Sequence, residues 1–169
     1  LVGATPASAH PAPFSFVDVR VDATTVDLEV VLHVFDVAYE LGVEPSEVFT
    51  SGVLETAGTR LATLLRERLH FTVDGRRLVV DATAWSAPDS LVERQSVSLR
   101  ARVALERGPG VFEVAAEMFP YDPAHQTFIN FYDAGELTSQ AILGGDDTSA
   151  EYFVGSRQGT LAVIQKFVP

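Results

Sequence analysis

Apolar and polar residues alternate with period two over residues 14–22 and again over 26–35, where Val26, Leu28, Val30, Leu32 and Val34 fall on one face. Successive side chains of a strand point to opposite faces, so the two runs predict a paired β-hairpin. Between 45 and 70 the period changes: Phe49, Val53, Leu54, Ala57, Leu61, Leu64 and Leu65 recur at three- and four-residue steps. That spacing predicts an amphipathic helix. Strand-like segments return at 78–85, 97–106, 111–119, 127–132 and 137–143. Between them stand Asp74-Gly75, Gly108-Pro109-Gly110, Ala134-Gly135 and Gly144-Gly145, which are hairpin signals. About seven short strands with regular turns predict a mainly β fold, an antiparallel β-sandwich of Ig-like or CopC-like kind. The one helix is inserted after the second strand and covers an end or a face. No internal repeat and no linker divides the chain.

Composition narrows the chemistry. The 169 residues suffice for one sizeable core, and no apolar run is long enough to cross a bilayer. Cysteine is absent, which rules out disulfides and thiolate ligands and leaves Met118 as the one soft sulfur. A transition metal would therefore have to be held by nitrogen and oxygen. The 12 basic and 23 acidic residues give a net charge of −11, with no basic segment to displace phosphate counterions. Nucleic acid is not expected as a partner.

The candidate chemistry starts at His10. The preceding Ala7-Ser8-Ala9 has the small-x-small pattern of a signal-peptidase site. Residues 1–9 then read as a signal-peptide remnant, 10–156 as the sandwich domain, and 157–169 as a segment leading to a membrane region. Cleavage after Ala9 would make His10 the first residue. Its α-amine and ring Nδ1 could then chelate one ion, the amine losing its proton more readily than a lysine does. Pro11 has no amide hydrogen to lose, so it cannot add a backbone nitrogen, and further ligands must come from elsewhere in the fold. If 1–13 is only a flexible leader, His10 is a solvated surface residue.

Further ligands are available at His33 and His125. His33 is flanked on its own strand face by Val31 and Phe35, and a half-buried imidazole left unpaired costs on the order of a few kcal/mol. Asp36 follows three residues later, able to orient that ring or to bind beside it. His125 sits in Phe119-Pro120-Tyr121-Asp122-Pro123-Ala124-His125, a loop that two prolines stiffen. Both histidines also have plain structural readings. His33 could bond a backbone carbonyl, and the loop could be a proline-shaped turn in which Tyr121 packs and Asp122 bonds its own backbone. His70, at the end of the helical run, is expected to cap the helix carboxyl end. The expected metal site is His10, His33 and His125 with Asp36, or failing that Asp122, as oxygen ligand or partner. Imidazole, amine and carboxylate donors favour Cu(II), with Ni(II) and Zn(II) also suited.

The run from Phe119 to Phe128, together with His33-Val34-Phe35-Asp36, resembles the extracytoplasmic amino-terminal domain of bacterial HupE/UreJ-like membrane proteins. A start like His10-Pro-Ala-Pro-Phe-Ser15 and a closing segment like 157–169 belong to the same resemblance, which covers nearly the whole chain from His10. It implies a periplasmic or otherwise extracytoplasmic location, an attached carboxyl-terminal membrane region as partner, and a link to metal handling; a metal-delivery partner would be a further one. A second likeness, carried by His10 and the expected fold, is to CopC-like periplasmic copper-binding sandwiches. The expected function is a non-enzymatic metal-binding module serving a transporter-like region; the alternative is a structural or partner-recognition sandwich without metal. An oxidative copper enzyme is less well supported, since the sequence carries no evident substrate surface. Other motifs add little. Ser156 stands one position too early for a nucleophile elbow, Asp146-Asp147 lacks the alternating oxygens of a calcium loop, and Trp85 reads as a packing residue.

Overall fold

The structure is a computed structural model and describes residues 14–155. His10 and the flanking segments 1–9 and 157–169 lie outside the described residues. In chain order the strands are β1 (Phe14–Val21), β2 (Thr25–His33), β3 (Leu69–Val73), β4 (Arg76–Leu78), β5 (Asp89–Leu91), β6 (Ser96–Ala104), β7 (Val111–Ala116), β8 (Gln126–Asp133), β9 (Glu136–Leu143) and β10 (Ser149–Phe153). Two helices, α1 (Val34–Leu41) and α2 (Ser51–Arg68), fall between β2 and β3. The strands form a six-stranded sheet, β5-β6-β2-β1-β8-β9, and a four-stranded sheet, β10-β7-β3-β4.

The fold is the mainly β sandwich with an inserted helix that the periodicity predicts. Val17, Val19 and Val21 of β1 and Val26, Leu28, Val30 and Leu32 of β2 point into one core, joined by Leu61 and Leu65 of α2. Phe131 on β8 joins the sheets. Its ring stacks on Tyr152 of β10 at 5.1 Å and meets the edge of Phe112 of β7 at 6.5 Å. Two tight hairpins have both central residues at positive φ: Asp74 and Gly75 at 48° and 75°, Ala134 and Gly135 at 50° and 82°. These angles match the right-handed twist of the strands they join.

Several local expectations give way to stronger forces. β1 pairs with β8 in parallel, Phe14 opposite Gln126, while the other described strand pairs are antiparallel. β2 ends at His33 rather than at residue 35, and Asp36 belongs to a helix. His33 Nδ1 accepts from the Phe35 backbone N–H, and Asp36 places a carboxyl in the first turn of α1. Both features favour a helix start. Val34, Val37 and Ala38 are buried at helical spacing, which the preceding alternation masks. Gly42, at φ 71°, closes α1 with its N–H on Ala38 and Tyr39 carbonyls.

The long helix begins at Ser51, because residues 44–50 are taken up by turns closed by Glu47 and Thr50 backbone bonds. His70 does not cap it. It lies in β3, with Nδ1 3.1 Å from Arg77 on β4. Most of the run 78–85 is not a strand: Ala82–Ala84 form a 3₁₀ turn, and Trp85 makes one bridge to Ala101. β5 and β10 carry too little alternation to be read from sequence, and the alternation of β3, Leu69-His70-Phe71-Thr72-Val73, is masked by its direct continuation from α2.

Candidate functional site

Ser15 opens the site. It shares the inward phase of β1 with Val17, Val19 and Val21 and is fully buried. A hydroxyl among valines needs a hydrogen-bond partner. It finds one in His125, whose Nε2 stands 3.1 Å from Ser15 Oγ. The parallel β1–β8 register makes this contact, since Ser15 lies opposite Thr127, two positions after His125.

The β7–β8 loop holds the ring in place. The backbone N–H of Asp122 bonds the Phe119 carbonyl and that of His125 bonds the Asp122 carbonyl, both at 3.0 Å. Asp122 Oδ1 accepts from the Ala124 N–H at 2.9 Å, so Asp122 does bond its own backbone. Phe119 meets the His125 ring edge-on at 4.7 Å. Gly144 presses on the same loop, where a Cβ would stand 3.0 Å from the His125 carbonyl oxygen. A groove of about 230 Å³ runs beside the ring, lined by Met118, Asp122, Pro123 and Gly144 among others.

Asp36 approaches from α1. Its Oδ2 lies 3.5 Å from His125 Nδ1, and the two side chains are 5% and 4% exposed. Neither atom has a hydrogen-bond partner, because 3.5 Å is too long for a good one. Burial, with the nearby carboxylates of Asp122 and Glu40, pushes the Asp36 carboxyl up to about 7, against a hydrogen bond from Tyr121 that lowers it. Burial likewise pushes His125 down to about 4. Tyr121 is raised by burial and by the charges of Asp36 and Glu40. Arg68 braces this corner: its Nη1 bonds Glu40 Oε1 at 2.6 Å and the Met118 carbonyl at 2.8 Å, tying α2 to α1 and to the loop.

The fold thus brings Asp36 and His125 together. His33 is nearby but differently employed. Its Nδ1 accepts the Phe35 N–H at 3.3 Å, which leaves the ring proton on Nε2, so ligation would require giving up the helix cap. Burial lowers its pKa, holding it neutral. Asp122 is occupied by its turn. Among the described residues, no three His, Asp or Glu side chains stand close enough to hold a metal ion. Asp36 and His125 nonetheless fit as two of a metal's ligands. Two bonds of about 2.1 Å at the tetrahedral angle span about 3.4 Å, and a square arrangement would need about 3.0 Å.

Ser15 and Tyr121 escape a motif search. The signal for Ser15 was present, as the one hydroxyl in the inward phase of an otherwise valine stripe. Ser15→Ala is expected to leave His125 Nε2 unpaired and to cost about 1–2 kcal/mol in denaturant unfolding. A scan against protein-family models finds no match, and neither does a search of curated proteins.

Proposed function

We propose that this chain is an extracytoplasmic metal-binding module: the nitrogen and oxygen donor set favours Cu(II), while the 3.5 Å separation, nearer the tetrahedral span, keeps Zn(II) and Ni(II) as alternatives. Asp36 and His125 supply two ligands, and the α-amine and ring of His10 complete the set once the residues before it are removed. The observation that carries this reading is the pair of buried, unpartnered atoms, Asp36 Oδ2 and His125 Nδ1, 3.5 Å apart. In the tautomer with its proton on Nε2, His125 turns a lone pair toward the Asp36 carboxyl, and a cation between them, a proton or a metal, satisfies both. With the ring proton on Nε2 and donated to Ser15 Oγ, Nδ1 is left for ligation. His10 stands four positions before Phe14, which pairs beside His125 at Gln126. Four extended residues reach up to about 14 Å. The resemblance to HupE/UreJ-like proteins adds the setting: a periplasmic domain handling metal for an attached membrane region.

Titration with Cu(II), Ni(II) and Zn(II) of a chain that starts at His10, beside one that retains residues 1–9, tests the reading. The first is expected to bind one ion, and retention of 1–9, Asp36→Asn or His125→Gln to weaken it by about a hundredfold or more. Equal affinity with and without residues 1–9 removes the amine from the site. Affinity unchanged in both side-chain variants removes the pair.

A second reading has one observation in its favour. Phe35 and Tyr39 of α1 are 46% and 66% exposed beside this corner, as a partner-recognition face would be. It predicts no metal binding above background.

A further inference from the structure

The chain has few side chains that are readily oxidised, and the fold hides most of them. There is no cysteine; Met118 and Trp85 are 2% and 8% exposed. Of the four tyrosines, Tyr152 is buried against Phe131, and Tyr132 lies under the Arg20 guanidinium at 4.7 Å. Tyr39 and Tyr121 remain, 66% and 39% exposed, with ring centroids 4.0 Å apart and planes tilted by 34°. They belong to different elements, α1 and the β7–β8 loop, and these are the elements that carry Asp36 and His125.

We propose that Tyr39 and Tyr121 are a built-in site of oxidative cross-linking, closing to a dityrosine under one-electron oxidation by a peroxide-driven oxidant. The two rings are already in contact, 4.0 Å between centroids, so coupling within one chain needs only local reorientation to bring the ortho carbons together. Each phenol loses one electron and one proton, giving two tyrosyl radicals. Tyr39 and Tyr121 are 66% and 39% exposed, so both protons pass to water. The radicals join by a bond between ring carbons ortho to the oxygens, and the two displaced ring hydrogens return to those oxygens as the rings regain aromaticity. One hydrogen peroxide accepts the two electrons and two protons and leaves as two waters. The product ties α1 to the loop and so fixes the distance between Asp36 and His125. The cross-link itself does not depend on the metal reading.

The test treats the metal-free chain with hydrogen peroxide and a peroxidase. The expected product is monomeric on a denaturing gel, lighter by two hydrogens and fluorescent as dityrosine. Its digest contains one peptide pair joining Tyr39 to Tyr121, and its thermal midpoint is raised. Tyr39→Phe and Tyr121→Phe should each abolish that intramolecular product while leaving the fold intact by circular dichroism. Dityrosine found only in cross-linked dimers, or an internal link that persists in either variant, overturns the assignment. So does oxidation of Tyr39 without coupling.

Discussion

Asp36→Asn is expected to make stability climb steeply with pH between about 4 and 6.5, by about 1.4 kcal/mol per unit and about 3 kcal/mol in all, relative to the native chain. His125 is lowered from 6.5 to about 4, so across that window the unfolded state binds a proton that the folded state refuses. Stability from this group is present above 6.5 and is lost as pH falls through 4. Asp36 runs the other way. Raised from 3.8 to about 7, it holds a proton in the folded state that the unfolded chain has released, so its contribution is full below 3.8 and is lost as pH rises through 7. In the native chain the opposed slopes nearly cancel, because the folded pair carries one proton and the unfolded pair carries one as well. That balance holds whichever partner bears the proton. His125→Gln should then leave the Asp36 slope alone, a fall of about 4 kcal/mol from pH 4 to 7. Urea unfolding at intervals of half a pH unit measures all three chains. Parallel profiles for the native chain and both variants would show that the pair does not share a proton.

How much of this was legible beforehand depends on the range of the forces. The inward valines of β1 and β2 and the α2 stripe follow from spacing alone, because burial along one element is a local pattern. The start of α1 is hidden for the same reason. Val34 and Phe35 continue the alternation of β2, and only the His33 cap and the buried Val37 and Ala38 mark the change of period. The loop reading of Asp122 was available from Pro123 and the short polar side chain. The sequence offers Asp36 and His125 as candidates, but their contact does not follow from it. It rests on β1 pairing with β8 in parallel across more than a hundred residues, which no local signal specifies. His33 illustrates the converse: its position invited a ligand reading, and the nitrogen it would need is engaged in capping a helix that sequence spacing did not reveal.

A triple variant, Ser15→Ala with Asp36→Leu and His125→Phe, separates a functional from a structural role for the site. The native arrangement buries a carboxyl and an imidazole whose facing atoms are unpaired, at the cost of desolvating both. Removing Ser15 or His125 alone breaks the Ser15–His125 bond and leaves its partner buried and unpaired, and Asp36→Leu alone sets an apolar group against the still unpaired His125 Nδ1; each single variant should lose about 1–3 kcal/mol. Replacing all three together removes every unmet demand and fills the space with apolar volume against Phe119. Such exchanges of buried polar clusters for hydrophobic residues are often neutral or stabilising, so the triple variant is expected to equal the native chain or exceed it by about 1–3 kcal/mol at neutral pH. Tyr121, 39% exposed, keeps its hydroxyl within reach of water. A stable variant that no longer binds Cu(II) would mean that folding does not require Ser15, Asp36 and His125, which leaves ligand binding as the reason for their cost. A triple variant several kcal/mol less stable than the native chain would make the cluster a structural one and undercut the metal reading at its base.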